Sequence, residues 1–332
     1  MAQRRGSSPT ADPTPEAGAS PLQTAEAEPL WTSGRECWVF RADRPDQLCG
    51  HHARLIASAL APGESLRYLL YSPLFDASDG PFAVGGRPGS HAVAITPERL
   101  LVSRDPHSDA ESRSVSSIDL AAISTLEIGC ALALGWFVVR FGDPQAEGSR
   151  TVLFGNLGAR HFREIVNIYR RSRSAPAERA AGTQWSQVWA GVPPYLLSEL
   201  EPLIEPDERP LAVLHSPERW TRRKRLFRHR PVCVAPAGLL LVTSLGVLWA
   251  VSEPRLTPDL VSFGVNVTVA RWDQVLDAGI GTRVVHEAAM GVLRFLVGAR
   301  RAPLELEVPF DAREVHAAED IVQLVAAWRG RP

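Results

Sequence analysis

The chain repeats itself, and this internal repeat constrains its fold more than any other sequence feature. Residues 63–73 match residues 207–217 without a gap, so that Ser72-Pro73 falls on Ser216-Pro217. Three further matches follow in the same order: 92–103 with 232–243, 120–129 with 272–281, and Ile165, Val166 and Ile168 with Ile321, Val322 and Leu324. Self-similarity at this spacing is typical of duplicated structural units. The sequence therefore predicts two tandem domains of the same fold.

Each unit reads as several short strands. In the first unit, the segments 64–72, 91–96 and 99–104 are short, apolar and bounded by Pro, Gly or Asp. Such segments are typical of β-strands joined by tight turns. The apolar runs 132–141 and 150–154 continue the pattern. Most of the first unit is therefore predicted to be strands.

A helix is predicted at each end of each unit. The closing helix of the first unit begins behind Asn156, a predicted N-cap, and carries an apolar stripe made of Phe162, Ile165, Val166 and Tyr169. In the second unit, Asp311–Glu314 resembles a capping box, and the stripe behind it contains Ala318, Ile321, Val322, Val325 and Trp328. Shorter opening helices are predicted over 45–60 and 193–204, because proline stands near the first turn of each. Both closing helices are expected to belong to the core.

Composition predicts where the two units begin and end. Residues 1–30 are rich in Pro, Ala, Ser, Thr and Glu and have almost no large apolar side chains, so we expect a disordered tail there. The first domain is expected over 31–171 and the second over 185–329. The segment between them, 172–184, is small and polar, as domain linkers usually are.

A run of short antiparallel strands closed by one amphipathic helix resembles the pleckstrin-homology-like (PH-like) domains of bacterial proteins, here twice over. The resemblance covers about 61–171 and 205–329, and it includes the strand–turn–strand from Ala94 to Arg104. It implies an α+β fold of two PH-like, partly open β-barrels, each closed by a C-terminal α-helix. Members of that superfamily mostly bind lipids, peptides or other proteins, although a fold alone does not determine function.

Overall charge gives no reason to expect a general affinity for nucleic acid or membrane. The chain has 36 basic and 37 acidic side chains and a formal net charge of −1. No apolar segment follows the basic pair at the start, so a secretory signal is not expected. A cytoplasmic location is predicted, with a position peripheral to the membrane as the alternative. The four cysteines are scattered, which predicts reduced thiols.

The most unusual local chemistry is the basic stretch 221–230, which is predicted to be a loop between the first two strands of the second domain. Its candidate anion-binding residues are Arg222, Arg223, Lys224, Arg225, Arg228 and Arg230. In eukaryotic PH domains the corresponding loop binds inositol phosphates, so the resemblance implies an anion site here. The matching segment of the first domain, 74–90, has only Arg87 against Asp76 and Asp79. The alternative is a solvated basic loop that pairs with acidic neighbours.

One apolar segment has the length of a membrane-spanning helix. Residues 231–252 are uncharged and follow the basic stretch, as in a transmembrane segment with a positive flank. They also contain two prolines and two glycines, and they match the strand pair at 92–103. The prediction for this segment is therefore strands rather than a membrane span.

No linear motif of catalysis is present, and neither catalytic residues, a cofactor nor a metal is expected. The sequence contains no GxSxG, Walker loop, GxGxxG or HExxH motif. Cys49, His51 and His52, with Cys37 upstream, lack the paired spacing of a structural zinc site. We interpret them as a free cysteine beside surface histidines. A site assembled across two domains would leave no linear motif, so an enzyme remains an alternative.

The function predicted from the sequence is therefore a non-catalytic binding or scaffold protein that engages a protein or peptide partner through grooves and strand edges. A first alternative is a peripheral membrane sensor that binds anionic lipid head groups through 221–230. A second is a cyclic-dinucleotide-binding barrel of the PilZ kind, based on the imperfect motifs Lys224-xxx-Arg228 and Asp259–Gly264. No nucleic-acid partner is expected.

Overall fold

A computed structural model gives the fold of this chain. The residues that it describes are 38–73, 89–106, 112–143, 146–172, 184–225, 228–253, 264–285, 288–298 and 303–330. The predicted tail, 1–30, and residues 173–183 of the predicted linker lie outside these ranges, so the domain boundaries stay a prediction. Within the described ranges, no helix is long and apolar enough to cross a membrane.

The first repeat, residues 38–172, is a series of strands with one short helix near its start and one longer helix at its end. Its elements are β1 (Phe40–Ala42), α1 (His52–Ala59), β2 (Tyr68–Ser72), β3 (Gly89–Ile95), β4 (Arg99–Pro106), β5 (Ser114–Asp119), β6 (Ile123–Ala131), β7 (Leu134–Asp143), β8 (Ala146–Gly155) and α2 (Ala159–Arg171). Turns of 3₁₀ helix at Pro45–Gln47 and Asn156–Gly158 precede α1 and α2. The predicted opening and closing helices are both present.

The second repeat, residues 184–330, follows the same order with one insertion. Its elements are α3 (Trp185–Val188), α4 (Pro194–Leu200), β9 (Pro210–Ser216), β10 (Arg219–Arg225), β11 (Arg228–Ala235), β12 (Gly238–Thr243), β13 (Gly246–Ser252), β14 (Gly264–Arg271), β15 (Val275–Val285), β16 (Ala288–Val297), β17 (Leu304–Phe310) and α5 (Val315–Arg329). Turns of 3₁₀ helix lie at Glu201–Leu203, Trp272–Gln274 and Ala312–Glu314.

These strands form four antiparallel sheets. The strand orders are β1-β2-β3-β4-β5, β8-β7-β6-β14-β13-β12-β9, β10-β11 and β15-β16-β17. Helix α5 packs on the sheet of β15, β16 and β17, where Ala318, Ile321 and Val325 are fully buried. The predicted α+β class is therefore confirmed, and among the described strands no sheet closes on itself.

The internal repeat is visible in structural detail. Helix α2 begins at Ala159 and α5 at Val315, the same interval that separates Ile165 from Ile321, and a 3₁₀ turn precedes each helix. Strands β6 and β15 also correspond, because both begin with a register shift, after Ile123 and after Val275. A bulge at the same place in both copies is a conserved way to bend the strand rather than an accident.

One of the sequence matches aligns strands that do not correspond in the structure, because it is shifted by one strand. The match of 92–103 with 232–243 pairs β3–β4 with β11–β12, whereas β12 pairs with β9 as β3 pairs with β2. By position in the sheet, β3 therefore corresponds to β12, and β10–β11 is the insertion. Residues 231–252 form the end of β11, then β12 and β13, so the preference for strands over a membrane span is confirmed.

The two repeats share one sheet. Strand β14 of the second repeat pairs antiparallel with β6 of the first, with Gly264 opposite Ala131 and Val269 opposite Leu126. We call this pairing the seam. The buried side chains on its inner face belong to one cluster that contains Leu126, Ile128, Val265, Val267 and Val269 together with helix α2. Nothing in the sequence indicates this pairing, because both strands have the composition of ordinary apolar strands.

Buried polar contacts reinforce the seam. The Arg170 guanidinium of α2 donates to the carboxylate of Glu208 and to a backbone carbonyl of the second repeat, and both side chains are almost fully buried. In the opposite direction, Arg271 reaches the first repeat, where it donates to the Leu120 carbonyl at 3.0 Å and lies over the Tyr169 ring. Removing one partner of a buried ion pair is costly. The repeats are therefore joined by buried polar contacts as well as by strand pairing.

The two predicted helix caps differ in outcome. Asn156 does not cap α2, because it begins the preceding 3₁₀ turn and its Nδ2 donates to the Leu132 carbonyl at 3.1 Å. Asp311 does act as a cap, since its carboxylate accepts from the Arg313 amide at 3.2 Å, but it caps the 3₁₀ turn before α5. The sequence thus predicted the N-termini of α2 and α5 to within one turn, but it did not distinguish the 3₁₀ turn from the α-helix that follows.

Candidate functional site

The basic stretch 221–230 is not a loop, so that prediction was wrong. Strands β10 and β11 form a separate two-stranded antiparallel ribbon, with Trp220 opposite Cys233 and Arg225 opposite Arg228. A run of charged residues lacks the alternation of apolar and polar residues that indicates a strand. The ribbon is inserted between β9 and β12, which pair directly with each other.

The register of this ribbon gives the backbone positions of the six candidate residues. Arg223 is opposite Arg230 and Arg225 is opposite Arg228. Arg222 is opposite Pro231, and Lys224 is opposite His229. The side chains of 223–230 lie outside what the structure describes.

Like charges directly opposite each other destabilise a strand pair. The ribbon contains two such arginine pairs in its register, Arg223 with Arg230 and Arg225 with Arg228, and a bound polyanion would offset the repulsion. Lys224 and Arg228, the first half of the imperfect PilZ motif, are opposite His229 and Arg225, respectively, and so are not opposite each other. This arrangement gives the cyclic-dinucleotide alternative no support.

The base of the ribbon is fastened to the second repeat. Arg219 donates to the Asp311 carboxylate at 2.7 Å, just ahead of α5. On the other strand, Val234 and Ala235 pack against Met290 and Val292 of β16. The base of the ribbon is thus held by both polar and apolar contacts.

Strand β15 offers a second candidate site. It is the outer strand of its sheet and is 11 residues long. Ile280 and Val284 lie on the same face of this strand and are 45% and 67% exposed, respectively. A long edge strand with exposed apolar residues is a place where another strand can pair. Native edge strands are usually shorter or better protected than this one.

The corresponding edge of the first repeat is filled. Strand β6 occupies the position in β6-β7-β8 that β15 occupies in β15-β16-β17, and its outer edge carries β14. In the described part of the chain, β15 has no strand at that edge. The outer edge of β6 is therefore paired with another strand, whereas the equivalent edge of β15 is not paired within the described residues.

The histidine next to the Cys49 segment is not on the surface, contrary to the sequence interpretation. His52 is fully buried, and its Nδ1 and Nε2 lie 2.7 and 2.9 Å from the hydroxyls of Ser103 and Ser90. Because the Ser103 hydroxyl donates to the Ala92 carbonyl, it accepts from Nδ1, and Nε2 accepts from Ser90. Burial lowers the pKa of His52 from 6.5 to about 4.

A neutral imidazole that accepts from a serine hydroxyl is also the arrangement of a Ser–His nucleophile. Here the imidazole is enclosed and its partners belong to β3 and β4, so it fastens α1 to this sheet. Cys130 is equally unsuited to nucleophilic chemistry, because burial raises the pKa of its thiol to about 12. Within the described residues, no three His, Cys, Asp or Glu side chains converge as a metal site would require.

Comparison with known proteins adds no family to these observations. No protein-family model matches the chain, and no curated protein is significantly similar to it.

Proposed function

We propose that this chain is a non-catalytic binding protein whose second repeat captures an extended segment of a protein partner along β15. The observation that carries the proposal is the difference between two equivalent edges, of which β6 is paired with β14 and β15 is not paired within the described residues. Strand addition supplies main-chain hydrogen bonds for affinity and side-chain contacts for specificity.

The seam indicates what kind of segment would fit. The strand that fills the β6 edge has the sequence GVNVTVAR, in which Val265, Val267 and Val269 point into the core. At the corresponding edge, β15 carries the partly exposed Ile280 and Val284, on the face that it shares with the buried Leu293 of β16. We therefore expect a partner segment with β-branched residues at alternate positions, running antiparallel to β15.

The proposal includes a PH-like fold for each repeat. In the first repeat, β2 to β5 form one sheet, β6 to β8 continue into the next, and α2 closes the unit. In the second repeat, β9 and β12 to β14 correspond to the first group, β15 to β17 to the second, and α5 to the closing helix. Seven strands followed by one helix, in two copies, support this assignment.

The test uses a peptide with the sequence of β14. Its natural acceptor is occupied, so binding to the intact chain would have to occur at another edge. We expect the labelled peptide GVNVTVAR to bind and to slow amide hydrogen exchange over 278–284. A matched peptide with proline in place of its fourth residue, Val267, cannot form the ladder and should not bind. Binding without protection of β15 would contradict the proposal.

A variant of the chain provides the second control. Replacing Ile280 and Val284 by asparagine removes the exposed apolar contacts of β15 without touching a fully buried residue. We expect peptide affinity to fall about tenfold, which corresponds to about 1.4 kcal/mol. Unchanged affinity in I280N/V284N would show that β15 is not the acceptor.

A second candidate function is binding of anionic lipid head groups through the β10–β11 ribbon. The observation that favours it is the backbone register, in which Arg223 is opposite Arg230 and Arg225 is opposite Arg228. Each basic residue close to an anionic membrane surface contributes about 1 kcal/mol. Replacing Arg222, Arg223 and Arg225 together by alanine should therefore weaken binding to anionic vesicles by about a hundredfold. Equal vesicle binding by the triple variant and the original chain would reject this function.

A further inference from the structure

Strand β15 itself has the sequence pattern expected of the partner segment. Ile280, Thr282 and Val284 are exposed β-branched residues at alternate positions. From Asp277 to Val285 the strand pairs with β16 without a register shift, so the residues of this stretch alternate between two faces. The outer edge of β15 carries no other strand of the described chain. A second copy of β15 is therefore a candidate for that edge.

Two oppositely charged residues lie on the other face of β15, one on each side of Ile280. Asp277 and Arg283 have side chains that are more than half exposed. Each has an ion partner in its own chain, because Arg283 lies 2.8 Å from the Glu307 carboxylate and Asp277 lies 2.9 Å from the Arg329 guanidinium. The exposed part of each side chain remains available to a further opposite charge.

The positions of these two charges select one way of pairing two identical strands. When two copies of β15 pair antiparallel around a two-fold axis, the residues on one side of a central residue lie opposite those on the other side. With Ile280 at the centre, Asp277 of each copy lies opposite Arg283 of the other. A shift of the centre by one residue in either direction leaves both charges opposite uncharged residues. The register centred on Ile280 thus makes two opposite-charge pairs.

Two glycines keep the space between these charges free of side chains. Gly279 and Gly281 lie on the same face as the charges and fall opposite each other in this register. The φ of Gly279 is not in the positive range, and a Cβ there would meet no described atom within 4 Å beyond its chain neighbours. Glycine in a strand weakens the strand, and it often marks the close approach of another backbone.

We propose that the partner of β15 is a second copy of this chain, bound by antiparallel β15–β15 pairing across a two-fold axis at Ile280. The proposal rests on the proposed function, because it names the partner of that same edge. The pairing joins two three-stranded sheets into one sheet of six strands. Such an interface uses the same surface of both copies, so it closes at the dimer.

Both faces of the joined sheet gain contacts. Ile280 of the two copies meet at the centre of one face, and Thr282 and Val284 extend along it towards the other copy. On the other face, charges alternate across the interface at each end. Each row consists of Glu307 and Arg283 of one copy followed by Asp277 and Arg329 of the other.

Charge reversal tests both the partner and the register. Asp277→Arg places like charges opposite each other at both ends of the dimer, and Arg283→Asp does the same with the opposite sign. We expect sedimentation velocity to show dimers of the original full chain and a dimer affinity at least about tenfold lower for each single variant. An equimolar mixture of D277R and R283D restores an opposite-charge pair at both ends, so we expect heterodimers. Dimers of D277R alone that are as stable as those of the original chain would overturn the proposal.

A cysteine at the centre of the pair gives a test that does not depend on charge. Ile280→Cys brings two cysteines directly opposite each other, within the Cα separation of about 4.4–6.8 Å that a disulfide requires. Thr282→Cys is the matched control on the same face, because its two copies would be more than about 13 Å apart. We expect oxidation to cross-link I280C into dimers and to leave T282C uncross-linked. Equal cross-linking of the two variants, or none of I280C, contradicts the proposed register.

The peptide GVNVTVAR separates failure of this proposal from failure of the proposed function. In the dimer, we expect the peptide to compete with the second copy and to lower the dimer fraction. A chain that stays monomeric up to about 100 μM yet binds the peptide along 278–284 overturns the second-copy proposal and leaves strand addition standing. A chain that neither dimerises nor binds the peptide contradicts both. Dimers in which β15 exchanges its amide hydrogens as fast as in monomeric D277R also overturn the proposal, because another surface would then join the copies.

Discussion

The two repeats have the same order of elements but different surroundings. In the first repeat, the outer edge of β6 and much of helix α2 are covered by the second repeat, through β14 and through residues such as Glu208 and Leu203. In the second repeat, β15 is an edge strand and α5 carries several exposed positions. The first copy has thus become an interior part of the molecule, while the second presents its equivalent edge to the outside.

This difference indicates which strand edge can accept a partner. An edge that is already paired contributes stability and cannot accept a partner, whereas an unpaired equivalent can. The insertion of β10–β11 adds to the asymmetry, because it places the basic residues in the second copy only. The two repeats therefore share an order of elements but differ in two ways: the edge of β6 is paired whereas that of β15 is not within the described residues, and only the second repeat has the β10–β11 insertion.

The largest effect is expected from breaking the contact between the repeats. Glu208→Ala leaves the buried Arg170 guanidinium without its carboxylate, and we expect the free energy of unfolding to fall by about 3–5 kcal/mol. Urea denaturation measures this loss. Asp277→Ala removes the partner of Arg329 from an exposed pair and should cost less than about 1 kcal/mol. Equal losses in the two variants would show that the Arg170–Glu208 pair does not hold the repeats together.

Acid should affect the first repeat more than the second. Burial lowers the pKa of His52 to about 4 and that of His91 to about 3, so both stay neutral in the folded state while the unfolded chain protonates them below about pH 6.5. Their contribution to stability is complete above that pH. It is lost at roughly 1.4 kcal/mol per pH unit for each histidine as the pH falls towards 4.

The charged groups around these two histidines have opposing effects. Asp105 favours the protonated form of His52, whereas His51 opposes it and Arg104 opposes protonation of His91. Hydrogen exchange at about pH 5 should therefore show faster exchange in β3 and β4 than in β12 and β13. Replacing both histidines by glutamine should remove the pH dependence. Equal acceleration in both repeats would contradict this assignment.

Equivalent substitutions in the two closing helices test whether the repeats unfold together. Ile165→Val and Ile321→Val each remove one buried methylene group and should each cost about 1 kcal/mol. Because the seam joins the repeats, we expect one unfolding transition whose midpoint shifts in both variants, as seen by circular dichroism and by calorimetry. Two separate transitions, each moved by only one substitution, would mean that the repeats are independent.

The smallest effect concerns two turns that differ in their tolerance for a side chain. Leu132→Gly relieves the positive φ of the β6–β7 turn and should raise the free energy of unfolding by about 0.5 kcal/mol. Gly246→Ala in the β12–β13 turn should act in the opposite direction, because its Cβ would lie 2.3 Å from the Ala270 carbonyl oxygen. Thermal denaturation measures both changes: the melting temperature should rise for Leu132→Gly and fall for Gly246→Ala. No rise for Leu132→Gly would show that leucine at this turn does not lower stability.

Local features of the fold could be predicted from the sequence, and long-range ones could not. The helix around Ile165 and its copy around Ile321 were identified because their apolar spacing is strong. The second match aligned 92–103 with the wrong strands at 232–243. Apolar strands resemble one another in sequence, and the two inserted strands, β10 and β11, displace the equivalent strands along the chain. Pairing between β6 and β14 leaves no periodic signal at all, since it depends on residues more than a hundred positions apart.

The candidate sites show the same limit. Arg222 and its basic neighbours were found from charge alone, but only the structure shows that they belong to two paired strands, β10 and β11. The open edge of β15 was not indicated, because an edge strand and a paired strand have similar compositions. Leu132 was assigned to an apolar run, and nothing in that run distinguishes a residue at an exposed turn from one in a strand.

The seam also has an evolutionary consequence. A repeat that folds on its own keeps its own strand edges, whereas here β14 covers β6 and the core continues across both repeats. Deleting the second repeat would uncover Leu126 and Ile128 along β6, and deleting the first would uncover Val267 and Val269 along β14. Residues of β15 and of β10–β11 can therefore change without affecting the shared core. Loss of a whole repeat would expose the core of the other.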